Sequence, residues 1–113
     1  MSASVVRFDS YKTLPAASIG ATFTAVGTPI AHNWRIICFT NNTNADVIFS
    51  ADSTNLNFYL PAGSFKLFDL STNREDTATT WLISLNTQIY AMHASGAPTT
   101  GSVYVEGLYG QGQ

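Results

Sequence analysis

The chain has 113 residues, of which 45% are apolar and only 11% charged, with five basic and seven acidic side chains and a formal net charge of -2. That length suits one domain able to bury roughly two-thirds of the surface its unfolded form exposes, and a charge content well below the usual value of about 25% excludes a disordered polyelectrolyte and a coiled coil. Arg7, Lys12, Arg35, Lys66 and Arg74 are scattered singly, so there is no basic stripe to displace counterions and nucleic acid is not an expected partner.

In chain order the sequence predicts about eight or nine short strands and no helix. Residues 1–13 read as an amino-terminal arm with a short strand at Val5–Phe8, and Ala21–Val26 alternates Thr with apolar residues until Gly27-Thr28-Pro29 ends it. Trp34–Thr40, Asp46–Ser50, Asn57–Leu60 and Ser64–Leu70 follow at short spacing, divided by Asn41-Asn42-Thr43-Asn44, by Asp52-Ser53-Thr54-Asn55 and by Pro61-Ala62-Gly63-Ser64. Ser71–Thr79 is polar and carries three charges, which marks it as an exposed loop. Thr80–Leu85, Gln88–His93 and Ser102–Leu108 complete the strands, and residues 110–113 are expected to form a flexible tail after a sandwich domain spanning 14–109. Turn-punctuated strands without a helical period predict an all-β, single-domain antiparallel β-sandwich, jelly-roll-like, of about eight strands.

Several strands are apolar on both faces, whereas a strand with one solvated face alternates apolar with polar. Counting by twos assigns Ile36, Cys38, Val47, Phe49, Phe58, Leu60, Phe65, Leu67, Trp81, Ile83, Ile89, Val103 and Val105 to the core. The alternates, Ile37, Phe39, Ile48, Tyr59, Phe68, Leu82, Tyr90, Met92 and Tyr104, form a second apolar set and are the candidate interface. A partner surface explains the second set, and self-association as a homodimer or homotrimer follows from it.

Chemical motifs are sparse. His32 and His93 stand alone, without the spacing of a zinc site, and there is no Gly-x-Ser-x-Gly elbow, so no catalytic, cofactor or metal residues are assigned and no enzyme activity is expected. Cys38, within Ile36-Ile37-Cys38-Phe39, reads as a small buried hydrophobe. The Asp52 loop reads as a polar turn, and Asn41-Asn42-Thr43, which fits a glycosylation acceptor, reads as an Asn-rich turn. No apolar run approaches the ~20 residues of a membrane-spanning helix, and no export signal opens the sequence, so neither a membrane nor secretion is expected.

The stretch NNTNADVIFSADSTNLNFYLPAGSFKLFDLSTN and the later PTTGSVYVEGLYG carry an N-x-T-x-x-x-V-x-F-S strand and loop, a Leu-Pro-Ala-Gly-Ser turn, a Phe-x-Leu-x-Asp strand and a Pro-Thr-Thr-Gly turn. In these the chain, over about Asn41–Gly110, resembles small β-sandwich virion structural proteins of tailed bacteriophages, in particular the capsid decoration or cement class. That resemblance implies a non-enzymatic protein on the outer surface of the virion, made in the host cytoplasm, which clamps neighbouring copies of a major capsid protein and stabilises the head. The alternative it leaves open is a tail or head-fibre module that binds a host-surface carbohydrate.

Overall fold

The structure, a computed structural model, describes residues 6–70 and 83–110, and its two longest strands organise it. These are β4 (Trp34–Thr43) and β9 (Gly101–Gly110), ten residues each and paired antiparallel along almost their whole length. The free side of β9 pairs with β1 (Val6–Phe8) at one end and β2 (Lys12–Pro15) at the other. The free side of β4 pairs with β7 (Ser64–Asp69), which closes sheet A in the order β1/β2-β9-β4-β7. Sheet B runs β3 (Thr24–Ala25), β8 (Tyr90–His93), β5 (Val47–Ser50), β6 (Phe58–Leu60).

Strands β2 to β9 therefore divide as β2-β9-β4-β7 and β3-β8-β5-β6, which is the strand order of a jelly roll, with β1 an addition to its first sheet. The all-β sandwich read from the turn spacing is the fold observed. A single turn of 3-10 helix at Ala16–Ser18 carries the chain from β2 toward sheet B.

The inner faces of the sheets meet over Ile37, Phe39, Val103 and Val105 from sheet A and Val47, Phe49, Leu60 and Ala91 from sheet B, all buried. Phe39 is the hub of the aromatic packing, with ring centroids 5.0 Å from Phe49, 4.7 Å from Phe58 and 6.0 Å from Phe68. These are separations at which tilted and edge-to-face rings attract beyond their buried area.

Three expectations are corrected. Within the expected arm, residues 6–8 form β1 and residues 12–13 begin β2, and both strands pair with β9 in sheet A. Lys12–Pro15 escaped the strand pattern because Pro15 cannot donate to a ladder, yet it lies at a strand end, where Pro is tolerated. At the other end, β9 continues through Gly107 to Gly110, with Gly107 paired to Ile37 and Gly110 to Val6, so the sandwich runs past 109.

The third correction concerns which way β4 and β7 face. The β4 to β9 register shifts between Trp34 and Ile36, a β-bulge with Arg35 as the extra residue. Trp34 is wholly buried, and counting by twos from it puts Ile36 and Cys38 in the core; the bulge reverses the alternation, so Ile37, Phe39, Asn41 and Thr43 are buried instead. Cross-strand partners share a face, and Cys38 pairs with Leu67 while Ile37 pairs with Phe68. Ile36, Cys38, Phe65 and Leu67, expected in the core, thus lie on the outer face, and Ile37 and Phe39, expected on the second surface, are core residues. Trp81 and the 71–79 loop lie outside the described residues.

Candidate interaction face and the turns that frame it

One end of the sandwich is a dense polar lock. Asn41, fully buried, donates from Nδ2 to the carbonyls of Ala45 and Leu60, both at 2.9 Å, while its Oδ1 accepts from the Thr43 backbone N–H at 3.1 Å and from Thr43 Oγ1 at 2.6 Å. Its amide is satisfied on both sides, which is the condition for holding such a group in a core. Asn41-Asn42-Thr43, expected as an Asn-rich turn, instead forms the last three residues of β4, paired with Val103, Ser102 and Gly101, and the chain bends only at Asn44-Ala45. Next to it, Asn44 Oδ1 accepts from the Thr99 N–H at 2.9 Å and its Nδ2 donates to Thr99 Oγ1 at 2.8 Å.

Asp46 accepts from the Ala62 N–H at 2.9 Å and from the Tyr59 hydroxyl. The Tyr59 bond, followed by the Ala62 bond, holds the Asp46 carboxyl below its ordinary value of 3.8, and the same contact pushes the Tyr59 phenol up from 10.0. Gly63 takes φ = 75° in the turn between β6 and β7, and Gly101 takes φ = 84° with so little room that a Cβ would stand 1.8 Å from the Asn42 carbonyl oxygen. The Asn41–Asp46, Pro61–Ser64 and Thr99–Gly101 motifs are therefore parts of one device that fixes the turns at this end.

A second polar knot ties the first strand to the sheet. The indole of Trp34 donates to Asp9 Oδ2 at 2.8 Å, His32 Nδ1 lies 3.4 Å from the same oxygen, and the His32 ring stacks on Tyr109 at 3.7 Å. Burial raises the Asp9 carboxyl, but hydrogen bonds from Trp34, from the Ser10 N–H and from His32 outweigh it and leave the group below its ordinary value. The Trp34 ring also lies against the β9 backbone at Gly107, where a Cβ would meet it at 2.1 Å.

The outer face of sheet A has no such satisfaction. Phe8, Ile36, Cys38, Phe65, Leu67, Tyr104 and Leu108 share it by cross-strand register, with Tyr11 beside Tyr104. Phe8 is 84% exposed, Phe65 67% and Leu67 57%. A cleft of about 280 Å³ on this face is lined by Phe8, Tyr11, Ile36, Cys38, Leu67 and Leu108, with Asp9 and Glu106 supplying the charge.

The nine expected interface residues do not form one surface. Ile48, Tyr59 and Met92 are aligned across β5, β6 and β8 on the outer face of sheet B, and Tyr90 shares that face. Tyr104 lies on the outer face of sheet A, opposite Thr40. Phe68 is at the inner edge of sheet A, against Phe39 and Phe58. Ile37 and Phe39 are buried, and Leu82 lies outside the described residues. Phe8, Tyr11 and Leu108 were missed, since a short amino-terminal strand gives no sign of which sheet it joins; the double-apolar pattern of β4 and β7 is the signal that did point to an outer face.

Among the described residues no three His, Cys, Asp or Glu side chains gather as metal ligands, and no helix is long and apolar enough to cross a membrane. Asp52 is engaged within its own turn: its carboxylate accepts from Ser50 Oγ, from the backbone N–H groups of Thr54 and Asn55 and from Asn55 Nδ2. Those bonds, led by the Asn55 N–H, hold its carboxyl far below the usual range. Comparison with known protein families, curated proteins and solved structures returned no match.

Proposed function

We propose that this protein is a non-enzymatic virion structural protein of a tailed bacteriophage, a capsid decoration protein that docks on the assembled head through the outer face of sheet A. The exposed apolar face bearing Phe8, Tyr11, Ile36, Leu67 and Leu108 carries the reading, because a monomer gains nothing by presenting such side chains to water. Support comes also from the turn motifs, which resemble those of the cement class and here fix the turns at one end of the sandwich.

Burying an apolar side chain contributes about 1.5–3 kcal/mol, so Phe8, Phe65 and Leu67 together supply a gain on the order of the 4–15 kcal/mol that immobilising a protein costs. One face attached once would hold weakly. An oligomer attached at two or more points makes the second contact effectively intramolecular, and bridging neighbouring capsid subunits in that way resists their separation. Cryo-microscopy of the virions that encode the chain, beside virions lacking its gene, tests the reading. The expected result is density on the icosahedral shell that disappears with the gene, together with a lower rupture temperature. Density confined to a tail or fibre overturns it.

That second outcome has its own support. Tyr11 and Tyr104 stand 6.1 Å apart on the outer face with their rings tilted by 52°, and Tyr11 is 64% exposed. Exposed aromatic pairs stack on the apolar faces of sugars, so a fibre module binding a host carbohydrate uses the same surface with a different partner.

A further inference from the structure

Strand β7 is an edge strand of sheet A. Among the described residues it pairs on one side only, with β4, and five of its six residues are exposed. An exposed strand edge of this kind is a template for another strand unless something blunts it. No proline or bulge interrupts Ser64–Asp69, and Lys66, the one basic residue, turns inward, with Nζ 5.3 Å from the centroid of the Phe58 ring.

The hydrogen bonds fix which backbone groups face outward. Leu70 donates its N–H to the Arg35 carbonyl at 2.8 Å, continuing the register in which Ile36 pairs with Asp69. Antiparallel pairs alternate between bonded and non-bonded, so Phe68 and Lys66 also turn their backbone groups toward β4, and Phe65 and Leu67 turn theirs away. Those two residues also carry the exposed apolar side chains of the outer face.

We infer that β7 pairs antiparallel with β7 of a second copy of this chain about a two-fold axis through Leu67. Joining two copies of sheet A in this way makes the interface isologous and the outer apolar face continuous across the axis. Residues opposite one another in such a pair must share a face, which leaves three registers centred on the strand. With Lys66 on the axis, two ammonium groups face each other at the closest cross-strand distance, which is destabilising. With Phe68 on the axis, Leu67 of each copy loses its apolar counterpart. With Leu67 on the axis, each Leu67 meets its twin and exchanges both backbone hydrogen bonds with it, and each Lys66 stands across from the partner's Phe68 ring, where a cation is attracted. Lys66 thus selects the register.

This pairing deepens the self-association in the reading above and does not depend on what the face docks against. Three variants and a dilution series test it. Sedimentation of the wild-type protein should give a dimer that dissociates on dilution. Leu67→Pro removes one outward N–H and no bond to β4, and proline is tolerated at a strand edge, so this variant should run as a monomer while keeping its cooperative melt. In a Cys38→Ser background, Leu67→Cys should oxidise to a covalent dimer, because bonded antiparallel partners have Cα atoms about 5.5 Å apart, within disulfide range. Phe65→Cys in the same background should not, since its two copies would be separated by roughly four residues of strand, on the order of 13 Å. A wild-type protein that is monomeric at every concentration, or a Phe65→Cys variant that cross-links as readily as Leu67→Cys, overturns the pairing. A dimer with these properties that does not reach the shell leaves the pairing standing and removes only the capsid reading.

Discussion

The two faces of sheet A are built from consecutive residues of the same strands and obey opposite rules. On the inner face Trp34, Ile37, Phe39 and Asn41 are buried, with every polar atom of Asn41 matched. On the outer face Ile36, Cys38, Leu67 and Leu108 are apolar and line an open cleft, with Leu67 57% exposed. Neighbours one residue apart, such as Ile36 and Ile37, resemble each other chemically and differ in what their loss removes. Apolar character in this sheet marks either stability or contact, and only the parity of the strand tells which.

The sharpest way to break the comparison is Gly107→Ala. A methyl group there would enter the Trp34 indole at 2.1 Å from Cδ2, and both partners are held by strand pairing, so loss of the cooperative urea transition is expected. Phe39→Ala, at the hub of the ring cluster, should cost about 3–5 kcal/mol, read as a lower urea midpoint at constant slope. Asn41→Leu, similar in size, strips the Leu60 carbonyl and the Thr43 N–H of their partners in a dry site and should cost about 1–3 kcal/mol.

Acid should act next. Asp9, Asp46 and Asp52 all have folded pKa values lowered below 3.8, so the stability they contribute is fully present above that value and is lost as the pH falls through the lower folded values. A melting temperature that is flat from neutral pH to about pH 5 and falls below pH 4 is expected; replacing Asp52 with Asn should flatten part of that fall. The smallest effect belongs to the outer face: Phe8→Ser, at an 84% exposed position, should change stability by less than about 0.5 kcal/mol while weakening attachment to the docking partner. A large loss of stability from Phe8→Ser would show that the outer face is a second core and end the distinction.

Much of this fold was legible because jelly-roll strands are short and their turns carry chemical signatures. Pro61-Ala62-Gly63-Ser64 stands as a turn with Gly63 at φ = 75°, whereas three residues of the expected Asn-rich turn, Asn41-Asn42-Thr43, extend β4. Val47, Phe49, Leu60, Ile89, Val103 and Val105 are buried as alternation expects. What failed was parity in β4 and β7. A bulge at Arg35 adds one residue without leaving a mark in composition, and when both faces are apolar the pattern cannot reveal the slip. In β7 counting by twos groups Phe65 and Leu67 against Lys66, Phe68 and Leu70, and only the pairing of Leu67 with Cys38 and of Phe68 with Ile37 shows that the first group faces outward. The outer face was legible as an excess of apolar residues but not as a place, since Phe8 and Leu108 meet only through the β1 to β9 register.

Strand β9 sits at the middle of sheet A, with β4 on one side and both β1 and β2 on the other, although it is the latest of these strands to be synthesised. Residues 6–15 and 34–43 therefore leave the ribosome without the strand that joins them, and sheet A cannot close until residue 110 has cleared the exit tunnel. Pairings so distant in sequence make for slow folding, and through that interval the β4 edge that β9 will occupy stands open. The order of the strands thus gives the nascent chain a window in which the long β4 edge awaiting β9 is open to strands of neighbouring chains.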